Sequence, residues 1–475
     1  MKDQSQTSSE TSMSRRSFVE LAASAAAFTI VPRHVLGGTG YVAPNDKITA
    51  AIIGTGGQGI NDMKWLMSFD GVQVVSVSDP IEKWDTSEWW YGGFSGREPA
   101  REAVDTFYAE KHGLGAYKAC TAYADFREML EKEDVDAVLV ATTDNVHAVA
   151  SMAAIKKGKH VYCEKPLTHT VYESRMLAQA AREAGVATQM GNNGQADERP
   201  RRLAEMLADG CIGDVRQVHR WTNRPVWPQG LPTPKEKPSI PPGVNWDLWV
   251  GPAAMRPYHP AYVSVRWRGW VDFGTGALGD MGCHELYPIF RALHLGHPTS
   301  IEASYANSFS PGGHKLWLSD SWPVASIVTY EFPARDGMPP VTLTWYDGGL
   351  KPPRPADFET EREWGREGVL FIGDKGNMVD GRLVPESKMQ AYKLPPKTLP
   401  RSPGHMEEWI RAIKGGEPGG SDFSYASLVT EVVLLGNVAL KTGRRLIWDA
   451  PNMQFVNDPE ATALLHRPYR EGWVL

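Results

Sequence analysis

Short apolar runs alternate with segments of helical periodicity from Lys47 to about Gln189. The apolar runs have the length and composition of buried parallel strands. They lie at Ile48–Ile53, Val72–Val77, Val135–Ala141, His160–Cys163 and Val186–Met190. Helices are predicted over Val146–Gly158 and Val171–Ala184, and each ends at or just before a glycine. This alternation predicts an α/β Rossmann domain, a doubly wound parallel sheet, over residues 44–190.

The pattern changes after Gly191, where strand-like runs follow one another and helices gather near the end of the chain. The strand-like runs lie at Val218–Thr222, Ser300–Ser304, Ala325–Phe332, Val341–Tyr346 and Val369–Ile372. Helices are predicted at Pro200–Asp209, His405–Lys414 and Tyr425–Thr442. We therefore expect an α+β domain with a large, mostly antiparallel open sheet over residues 191–475.

Two segments interrupt these patterns. Residues 223–260 are crowded with proline and tryptophan, which predicts long loops. Residues Trp84–Gly96 read WDTSEWWYGGFSG, an aromatic and glycine-rich insertion between the second and third predicted strands. We expect this insertion to form a surface loop.

The first predicted strand ends in GTGGQG at residues 54–59, a complete G-x-G-x-x-G motif. In such a turn Gly54 permits the tight bend, Gly56 lets a pyrophosphate approach the backbone, and Gly59 lets the next helix pack closely on the strand. The helix that follows presents free N–H groups and the positive end of its dipole to the phosphates. The motif predicts dinucleotide binding; the alternative is a strand-to-helix turn that binds nothing.

Asp79 bears on which dinucleotide binds. It ends the second predicted strand, at the offset where an acid binds the adenosine ribose hydroxyls. A carboxylate there pairs with a 2′-hydroxyl and repels a 2′-phosphate. Pro80 follows Asp79, so no phosphate-binding arginine or serine stands there, although Lys83 is close enough to keep NADP open. The sequence favours NAD over NADP.

Composition narrows the function further. The chain has 475 residues and a net charge of −6, with acidic and basic residues interspersed. No basic block appears, which argues against a nucleic-acid partner. The four cysteines are scattered without C-x-x-C spacing, so they predict neither a zinc site nor a disulfide scaffold.

The N-terminus reads as a targeting segment. Ser14-Arg15-Arg16-Ser17-Phe18 precedes an apolar run, Leu21–Val31, of only 11 residues, far short of the ~20 needed to span a bilayer. The pattern resembles a twin-arginine translocation signal, and a disordered arm with a chance arginine pair is the alternative. We expect a signal and linker over residues 1–43 and no transmembrane span. The resemblance implies export in the folded state to the periplasm, where no pool of free NAD is maintained.

Lys165 lies in Glu164-Lys165-Pro166, directly after a predicted parallel strand. Ligands of open α/β sheets bind outside the carboxyl ends of the strands, so Lys165 would point toward cofactor and substrate. A lysine there can donate to a substrate oxygen and stabilise alkoxide character during hydride transfer. A surface lysine at a strand end remains the alternative.

Asp280 and His284 are four residues apart in GALGDMGCHE, residues 276–285, and share a face if that segment is a helix. His284 would act as a general base and Asp280 would orient it. Two alternatives stay open. One is a metal site with Glu285 as a third ligand, although no H-x-x-x-H pair supports it. The other is a capping aspartate with a packing histidine.

Residues 142–147 read TTDNVH and follow the strand at 135–141. Their threonines and asparagine can cap the next helix, line the cofactor cleft, or do both. His147 is more consistent with a structural role than a catalytic one.

These segments occur in the order GxGxxG, Asp79, TTDNVH, EKP and GDMGCH. In that order they resemble the glucose–fructose oxidoreductase, inositol dehydrogenase and rhizopine-catabolism (Gfo/Idh/MocA) family, over roughly residues 47–445. The resemblance implies a second domain whose open sheet binds substrate and often an oligomer partner, and catalytic roles for Lys165, Asp280 and His284. The chain departs from the family pattern where GNNGQ, residues 191–195, replaces G-x-Q-x-R and where Asp144 replaces the usual proline-containing form.

We expect the dinucleotide to contact Gly54, Thr55, Gly56, Gln58, Gly59, Ile60, Asp79, Thr142, Thr143, Asn145, His147, Glu164, Lys165 and Asn193. We expect the substrate to contact Lys165, Arg266, Trp267, Arg268, Asp280 and His284. We expect no metal. We expect the protein to form a homo-oligomer, either a dimer or a tetramer.

The substrate class is predicted from aromatic residues. Six tryptophans lie within residues 221–270, ahead of Asp280, at positions 221, 227, 246, 249, 267 and 270. Indole rings stack on the C–H faces of sugars, and the indole N–H can bond a hydroxyl. Ordinary packing explains any single tryptophan, but the cluster favours a sugar or cyclitol site.

Three functions remain open from the sequence. The first is an exported NAD-dependent oxidoreductase acting on a secondary hydroxyl, a sugar dehydrogenase. The second is a redox-neutral glycosidase that oxidises C3 of the sugar transiently, eliminates the aglycone and returns the hydride. Lys165 favours the first, because the glycosidase branch of the superfamily lacks this lysine, whereas periplasmic confinement favours the second. The third is a sugar-binding protein without catalysis.

Overall fold

A computed structural model describes residues 46–118, 120–308 and 320–475 of the chain. The predicted twin-arginine segment lies outside these residues, so that prediction stays a prediction.

The elements up to residue 208 alternate as the sequence predicts. In chain order they are β1 (Ile48–Ile53), α1 (Gly57–Met67), β2 (Val72–Ser78), β3 (Trp84–Asp85), β4 (Phe94–Ser95), α2 (Arg97–His112), β5 (Thr121–Tyr123), α3 (Phe126–Lys132), β6 (Ala137–Val140), α4 (Asp144–Lys156), β7 (His160–Cys163), α5 (Val171–Ala184), β8 (Thr188–Met190) and α6 (Glu198–Ala208). Six strands form one parallel sheet in the order β5-β2-β1-β6-β7-β8. The strand order reverses between β1 and β6, so the carboxyl ends of these two strands flank a crevice.

Local sequence explains these elements. All of β1 except Thr49 is buried, and β6 is buried throughout, as expected of strands covered on both faces. Helix α5 begins with a capping box, because the Thr170 hydroxyl accepts from the Glu173 N–H at 3.3 Å and the Glu173 carboxylate accepts from the Thr170 N–H at 2.9 Å. It ends at Gly185, which takes the left-handed conformation with φ 64°.

The elements after residue 208 form the second layer. In chain order they are β9 (Val215–Trp221), α7 (Trp246–Val250), α8 (Gly276–Glu285), α9 (Tyr287–Leu293), β10 (Ser300–Ala306), β11 (Ala325–Phe332), β12 (Val341–Tyr346), β13 (Gly368–Gly373), β14 (Asn377–Val379), β15 (Arg382–Val384), α10 (Glu386–Ala391), α11 (His405–Ile413), α12 (Phe423–Thr442), β16 (Leu446–Asp449), β17 (Gln454–Phe455) and α13 (Pro459–Ala463). Nine strands form one sheet in the order β15-β14-β13-β9-β12-β11-β10-β16-β17. Strands β9 and β12 pair in parallel and the other neighbours are antiparallel, which confirms the predicted mostly antiparallel sheet.

Helix α12 joins the two sheets into one core. It packs on α5 and β8 of the parallel layer and on α8 and β10 of the other. The backbone at its start extends the edge of β8, because the Met190 N–H donates to the Ser421 carbonyl at 2.8 Å. Among the described residues, α12 alone is long and apolar enough to cross a membrane, with a mean hydropathy of 1.5, but 83% of its apolar window is buried inside the protein. Such burial is typical of a core helix.

Two regions differ in detail from expectation. The insertion at 84–96, predicted as a surface loop, contains a two-stranded hairpin in which Trp84 pairs with Ser95 and Asp85 with Phe94. Residues 223–260 lack strands, as predicted, but contain the short helix α7. Asn245 caps α7 by accepting from the Leu248 N–H at 3.1 Å, a local signal that the proline-rich surroundings mask.

Candidate active site

The glycine-rich turn between β1 and α1 has room for a phosphate. Gly54 has φ +88°, and a Cβ there would lie 2.5 Å from the Ala141 carbonyl oxygen. A Cβ at Gly59 would lie 2.0 Å from the Gly54 carbonyl oxygen, so the helix packs directly on the turn. A Cβ at Gly56 would meet nothing within 4 Å. The turn is therefore tight at Gly54 and Gly59 and open at Gly56, as the sequence predicts for a dinucleotide cradle.

Asp79 binds the same turn. One carboxylate oxygen accepts from the Thr55 N–H at 2.8 Å, and the other accepts from the Ile81 N–H at 2.8 Å. Burial raises the pKa of Asp79 despite these bonds. The Thr55 hydroxyl also donates to the first oxygen, at 3.3 Å, so the oxygen bonded to Ile81 is the one that keeps a lone pair for a ribose hydroxyl. The Lys83 Nζ lies over the Phe94 ring, 4.3 Å from the centroid.

A cavity of about 410 Å³ opens at the carboxyl ends of β1 and β6 and extends from the glycine-rich turn to helix α8. Most of the predicted contact residues line it: Gly54, Gly56, Gln58, Asp79, Thr142, Thr143, His147, Glu164, Lys165, Asn193, Trp267, Arg268, Asp280 and His284. The sequence prediction missed several others: Trp84, Trp90, Tyr91, Arg224, Met281 and Trp473. The cavity thus brings the two layers of the protein to one site.

Asp280 binds two cations inside this cavity. Its Oδ1 accepts from Lys165 Nζ at 2.9 Å and from Arg268 Nε at 3.0 Å, and all three side chains are at most 12% exposed. Burial alone would raise the pKa of Asp280, but Lys165 and Arg268 outweigh burial and lower it. Burial would likewise lower the pKa of Lys165, and Asp280 instead raises it. Lys165 is therefore a charged donor at neutral pH and Asp280 a carboxylate.

His284 lies one turn after Asp280 on α8 and lines the same cavity, so the predicted helix and shared face are present. Burial, aided by the Lys165 cation, lowers the pKa of His284 to about 3. The imidazole is therefore neutral at physiological pH and able to accept a proton. The hydrogen bonds of the Asp280 carboxylate go to Lys165 and Arg268 rather than to His284, so a directly bonded Asp280–His284 relay does not describe this geometry.

The metal interpretation of this helix finds no matching ligand set. The Glu285 carboxylate forms an ion pair with Arg220 of β9. Within residues 46–118, 120–308 and 320–475, no group of three or more His, Cys, Asp or Glu side chains has the arrangement of a metal site. Two of the cysteines, Cys163 and Cys283, are buried, and the other two are partly buried.

The departure at Asp144 has a structural role. Its Oδ2 accepts from the Thr275 N–H at 3.0 Å and from the Thr275 hydroxyl at 2.6 Å, at the residue that precedes α8. Asn437 of α12 donates to the Thr275 carbonyl at 2.9 Å. Burial raises the pKa of Asp144 to about 7. Asp144 thus fixes the start of the helix that carries Asp280 and His284.

Some of the remaining residues of TTDNVH line the cavity, and the others hold neighbouring backbone in place. Thr142 and Thr143 line the cavity. Asn145 points away from it and donates to the Val250 carbonyl at 2.9 Å. His147 Nδ1 lies 2.7 Å from the Pro166 carbonyl, and burial lowers the pKa of His147 to about 4. A neutral His147 donates to that carbonyl and holds the segment that follows Lys165.

Glu164 belongs to a buried acid pair that sequence reasoning did not anticipate. It is packed against Asp62 of α1, and burial raises the pKa of both carboxyls, that of Asp62 to about 7. Two carboxyls in one buried pocket retain a proton at neutral pH. Asp62 carried no signal in the sequence, because it lies inside the helix that follows the motif.

The GNNGQ segment is mostly scaffold. Asn193 lines the cavity and accepts from the Tyr162 hydroxyl at 3.0 Å. Asn192 donates to the Cys283 carbonyl at 3.3 Å. Gln195 donates to the Glu408 carboxylate at 2.9 Å, toward α11. Asn193 is thus the residue of these three that is available to a ligand.

Of the six tryptophans within residues 221–270, some line the cavity and the others are buried in the core. Trp227, Trp249 and Trp267 line the cavity, and Arg268 lies over the Trp267 ring at 4.3 Å. The tryptophans at 221, 246 and 270 are buried in packing clusters instead. Arg266 does not line the cavity, because it pairs with Glu88 of the hairpin insertion at 2.7 Å.

Three further predicted cofactor residues do not line the cavity. Thr55 is buried and bonded to Asp79, Gly59 packs on the turn, and Ile60 packs against the core beside β1. Their predicted contacts with a cofactor stay predictions.

Comparisons with known proteins agree with this geometry. Residues 93–192 match the family model described as "Oxidoreductase family, NAD-binding Rossmann fold", and residues 218–307 match "Oxidoreductase family, C-terminal alpha/beta domain". These matches support the resemblance of the chain to the Gfo/Idh/MocA oxidoreductase family. They confirm the family resemblance and an NAD-binding Rossmann domain.

The relatives are similar over part of their length. A 1,5-anhydro-D-fructose reductase from Ensifer adhaerens is 40% identical over 182 residues, which are 38% of this chain and 42% of that protein. A myo-inositol 2-dehydrogenase from Thermotoga maritima is 36% identical over 121 residues, 26% of this chain and 35% of that protein. The alignments thus span less than half of these curated relatives.

The crystal structure of the WlbA dehydrogenase from Bordetella pertussis in complex with NADH and UDP-GlcNAcA has the same fold. Its TM-score is 0.53 at 15% identity, over 85% of this chain and 99% of that chain. This likeness shows the fold alone.

Proposed function

We propose that the protein is an exported NAD(H)-dependent oxidoreductase that acts on a secondary hydroxyl of a sugar, glycoside or cyclitol. One observation carries the proposal. The cavity that contains the open glycine-rich turn also contains a charged lysine, its carboxylate partner and a neutral histidine, Lys165, Asp280 and His284.

The chain's residues fit a dinucleotide. Gly56 leaves open space above the turn, and Asp79 presents carboxylate oxygens to the same cavity. NAD, when bound, accepts the hydride of a carbinol carbon or returns it. The acid at position 79, which pairs with a ribose 2′-hydroxyl and repels a 2′-phosphate, supports NAD over NADP.

The acid–base roles follow from charge. Lys165 is protonated, because the pairing with Asp280 raises its pKa, so it donates a hydrogen bond to the substrate oxygen and stabilises the negative charge that develops there. His284 is neutral, so an unprotonated ring nitrogen is available to the substrate hydroxyl; its low pKa makes it a weak base, so we assign it the proton only as the hydride leaves. Asp280 keeps Lys165 and Arg268 in place and offsets their charge.

A carbohydrate substrate is supported by the lining. Trp227 and Trp267 offer indole faces, and Arg224 and Arg268 offer donors for hydroxyl or carboxylate groups. The relatives named for anhydrofructose and myo-inositol act on compounds of that class. Association into a homo-oligomer is part of the proposal and rests on the family resemblance.

The test begins with the nucleotide released from denatured protein. The purified protein is then incubated with NAD⁺ and a panel of sugars, glycosides and cyclitols while the reduced-nicotinamide absorbance is recorded. We expect a substrate-dependent rise, and Lys165→Met should lower kcat by about 10²–10⁴-fold with dinucleotide affinity nearly unchanged. Lys64→Met, at an exposed lysine of α1, is the matched control.

Two results would contradict the proposal. One is the absence of any dinucleotide binding, which would favour a sugar-binding protein. The other is near-full turnover by Lys165→Met. Release of an aglycone without net change in absorbance would instead identify the redox-neutral glycosidase.

A further inference from the structure

The hairpin insertion, residues 84–95, is attached to the glycine-rich turn. The Gly96 N–H at its base donates to the Thr55 carbonyl at 3.0 Å. The Thr86 N–H donates to the Gly93 carbonyl at 2.8 Å, and the Thr86 hydroxyl, 3.0 and 2.9 Å from the carbonyl oxygens of Gly92 and Gly93, donates its one hydrogen to either of them, which closes the hairpin on itself. The hairpin therefore has a defined shape and a fixed position beside the turn.

Gly57 explains where the hairpin rests. The G-x-G-x-x-G motif requires glycine at 54, 56 and 59 but not at 57. A Cβ at Gly57 would lie 2.1 Å from ring carbons of Tyr91, closer than real Cβ atoms approach. The Tyr91 ring therefore lies directly on the first turn of α1, next to the open position at Gly56. Glycine at 57 is the residue that this contact needs.

The far side of the hairpin reaches the other layer of the protein. Glu88 accepts from Arg266 at 2.7 Å, and the Arg266 guanidinium lies 4.9 Å from the Trp89 ring centroid. Arg266 belongs to the 3₁₀ segment Ser264–Gly269, which also carries Arg268, the residue that donates to Asp280. Tyr91 and Trp90 line the cavity between these two attachments. The hairpin thus spans the cleft from the phosphate cradle to the substrate end.

We propose that Tyr91 is a positioning residue for the dinucleotide, and that its hairpin covers the pyrophosphate and slows release of the cofactor. The proposal rests on the proposed function, since it takes the ligand of the glycine-rich turn to be NAD. A cofactor under this hairpin leaves only after the Tyr91 contact and the Glu88–Arg266 pair are broken. A protein that holds its cofactor in this way can complete a cycle of oxidation and reduction on one resident molecule.

The dissociation rate of NADH tests the proposal. The full-length protein is loaded with NADH, excess NAD⁺ is added, and the loss of bound NADH fluorescence is followed. We expect Tyr91→Ala to raise the rate constant at least about tenfold, because an aromatic contact over the ligand is lost. Tyr91→Phe keeps the ring and should stay near wild type. Phe94→Ala is the matched control, because Phe94 belongs to the same hairpin but is 54% exposed and does not line the cavity.

A second variant distinguishes loss of the contact between the Tyr91 ring and Gly57 from a general distortion of the hairpin. Gly57→Ala should also raise the rate, because its Cβ displaces the Tyr91 ring. Combined with Tyr91→Ala it should add nothing further, whereas additive effects would show that Gly57 acts on the phosphate by itself and would overturn the role given to the ring. Arg266→Ala should raise the rate as well, since it releases the far attachment.

The outcomes are distinct from those of the proposed function. Wild-type protein that binds no NADH would overturn both proposals. Binding with equal dissociation rates for wild type and Tyr91→Ala would overturn this inference alone. A change confined to the KM of the sugar, with the NADH rate unmoved, would also overturn it, because Tyr91 would then belong to the substrate site.

Discussion

Replacing Asp144 by asparagine should change the pH dependence of stability. The asparagine side chain keeps the shape and an oxygen that can accept from Thr275, but it cannot ionise. In the folded protein burial raises the pKa of Asp144 from its ordinary value of 3.8 to about 7, and the residue is 2% exposed. The folded state therefore holds this proton more tightly than the unfolded state does. Its stabilising contribution is complete below pH 3.8 and is lost as pH rises toward 7.

The magnitude follows from the linkage of proton binding to folding. Each pH unit between the two pKa values is worth about 1.4 kcal/mol. Roughly two of these units lie between pH 5 and pH 7, so wild type should lose about 3 kcal/mol relative to Asp144→Asn between pH 5 and pH 9. Above pH 7 the variant should be the more favoured, because wild type then carries a buried charge.

Denaturant unfolding at pH 5 and pH 9, followed by tryptophan fluorescence, measures this difference. Asp134→Asn serves as the control, since the Asp134 side chain is fully exposed and pairs with Lys159 at the surface, where water screens the charge that the substitution removes. A gap between wild type and Asp144→Asn that is the same at both pH values, or that moves in favour of wild type at high pH, would refute the reasoning.

Three other predictions concern charge and targeting. Asp280→Asn leaves Lys165 and Arg268 buried without their carboxylate, so the protein should lose about 3–5 kcal/mol of stability and the alkaline limb of kcat/KM should move to lower pH; an unmoved limb would contradict the pairing. His284→Ala should lower kcat about 10²–10⁴-fold, and because the pKa of His284 is lowered to about 3, the wild-type profile should show no His284 inflection near neutral pH. The double change of Arg15 and Arg16 to lysine should leave folded protein in the cytoplasm, as cell fractionation would show; unchanged delivery would reject the signal.

The sequence predicts elements well where local pattern decides them. The helix at Val171–Ala184 has the predicted bounds, because a capping box and a left-handed glycine set both of its ends. The strands at Ala325–Phe332 and Val341–Tyr346 likewise match their apolar runs. The two motifs that carry the proposed catalytic residues meet in one cavity because they place their polar side chains at a strand end and on one helix face.

Long-range packing explains what local pattern did not predict. Asp62 and Glu164 meet only once α1 lies against the parallel sheet. Arg266 looked like a substrate ligand from its position in the sequence, but the insertion supplies Glu88 as its partner from far away in the chain. The role of Asp144 depends on a threonine more than a hundred residues downstream. Neither the hydrophobic periodicity nor the motif spacing of the sequence predicts such pairings.

The position of α12 in the core constrains the order in which the chain can fold. The edge of β8 and the packing of α5 are complete only when Ser421 and α12 are in place, and Trp473 near the C-terminus lines the cavity. During synthesis the glycine-rich turn therefore leaves the ribosome long before the residues that complete the pocket around it. The complete lining of the pocket requires residues as far along the chain as Trp473. Proteolytic removal of the segment around Trp473 would open the pocket from a side that none of the sequence motifs marks.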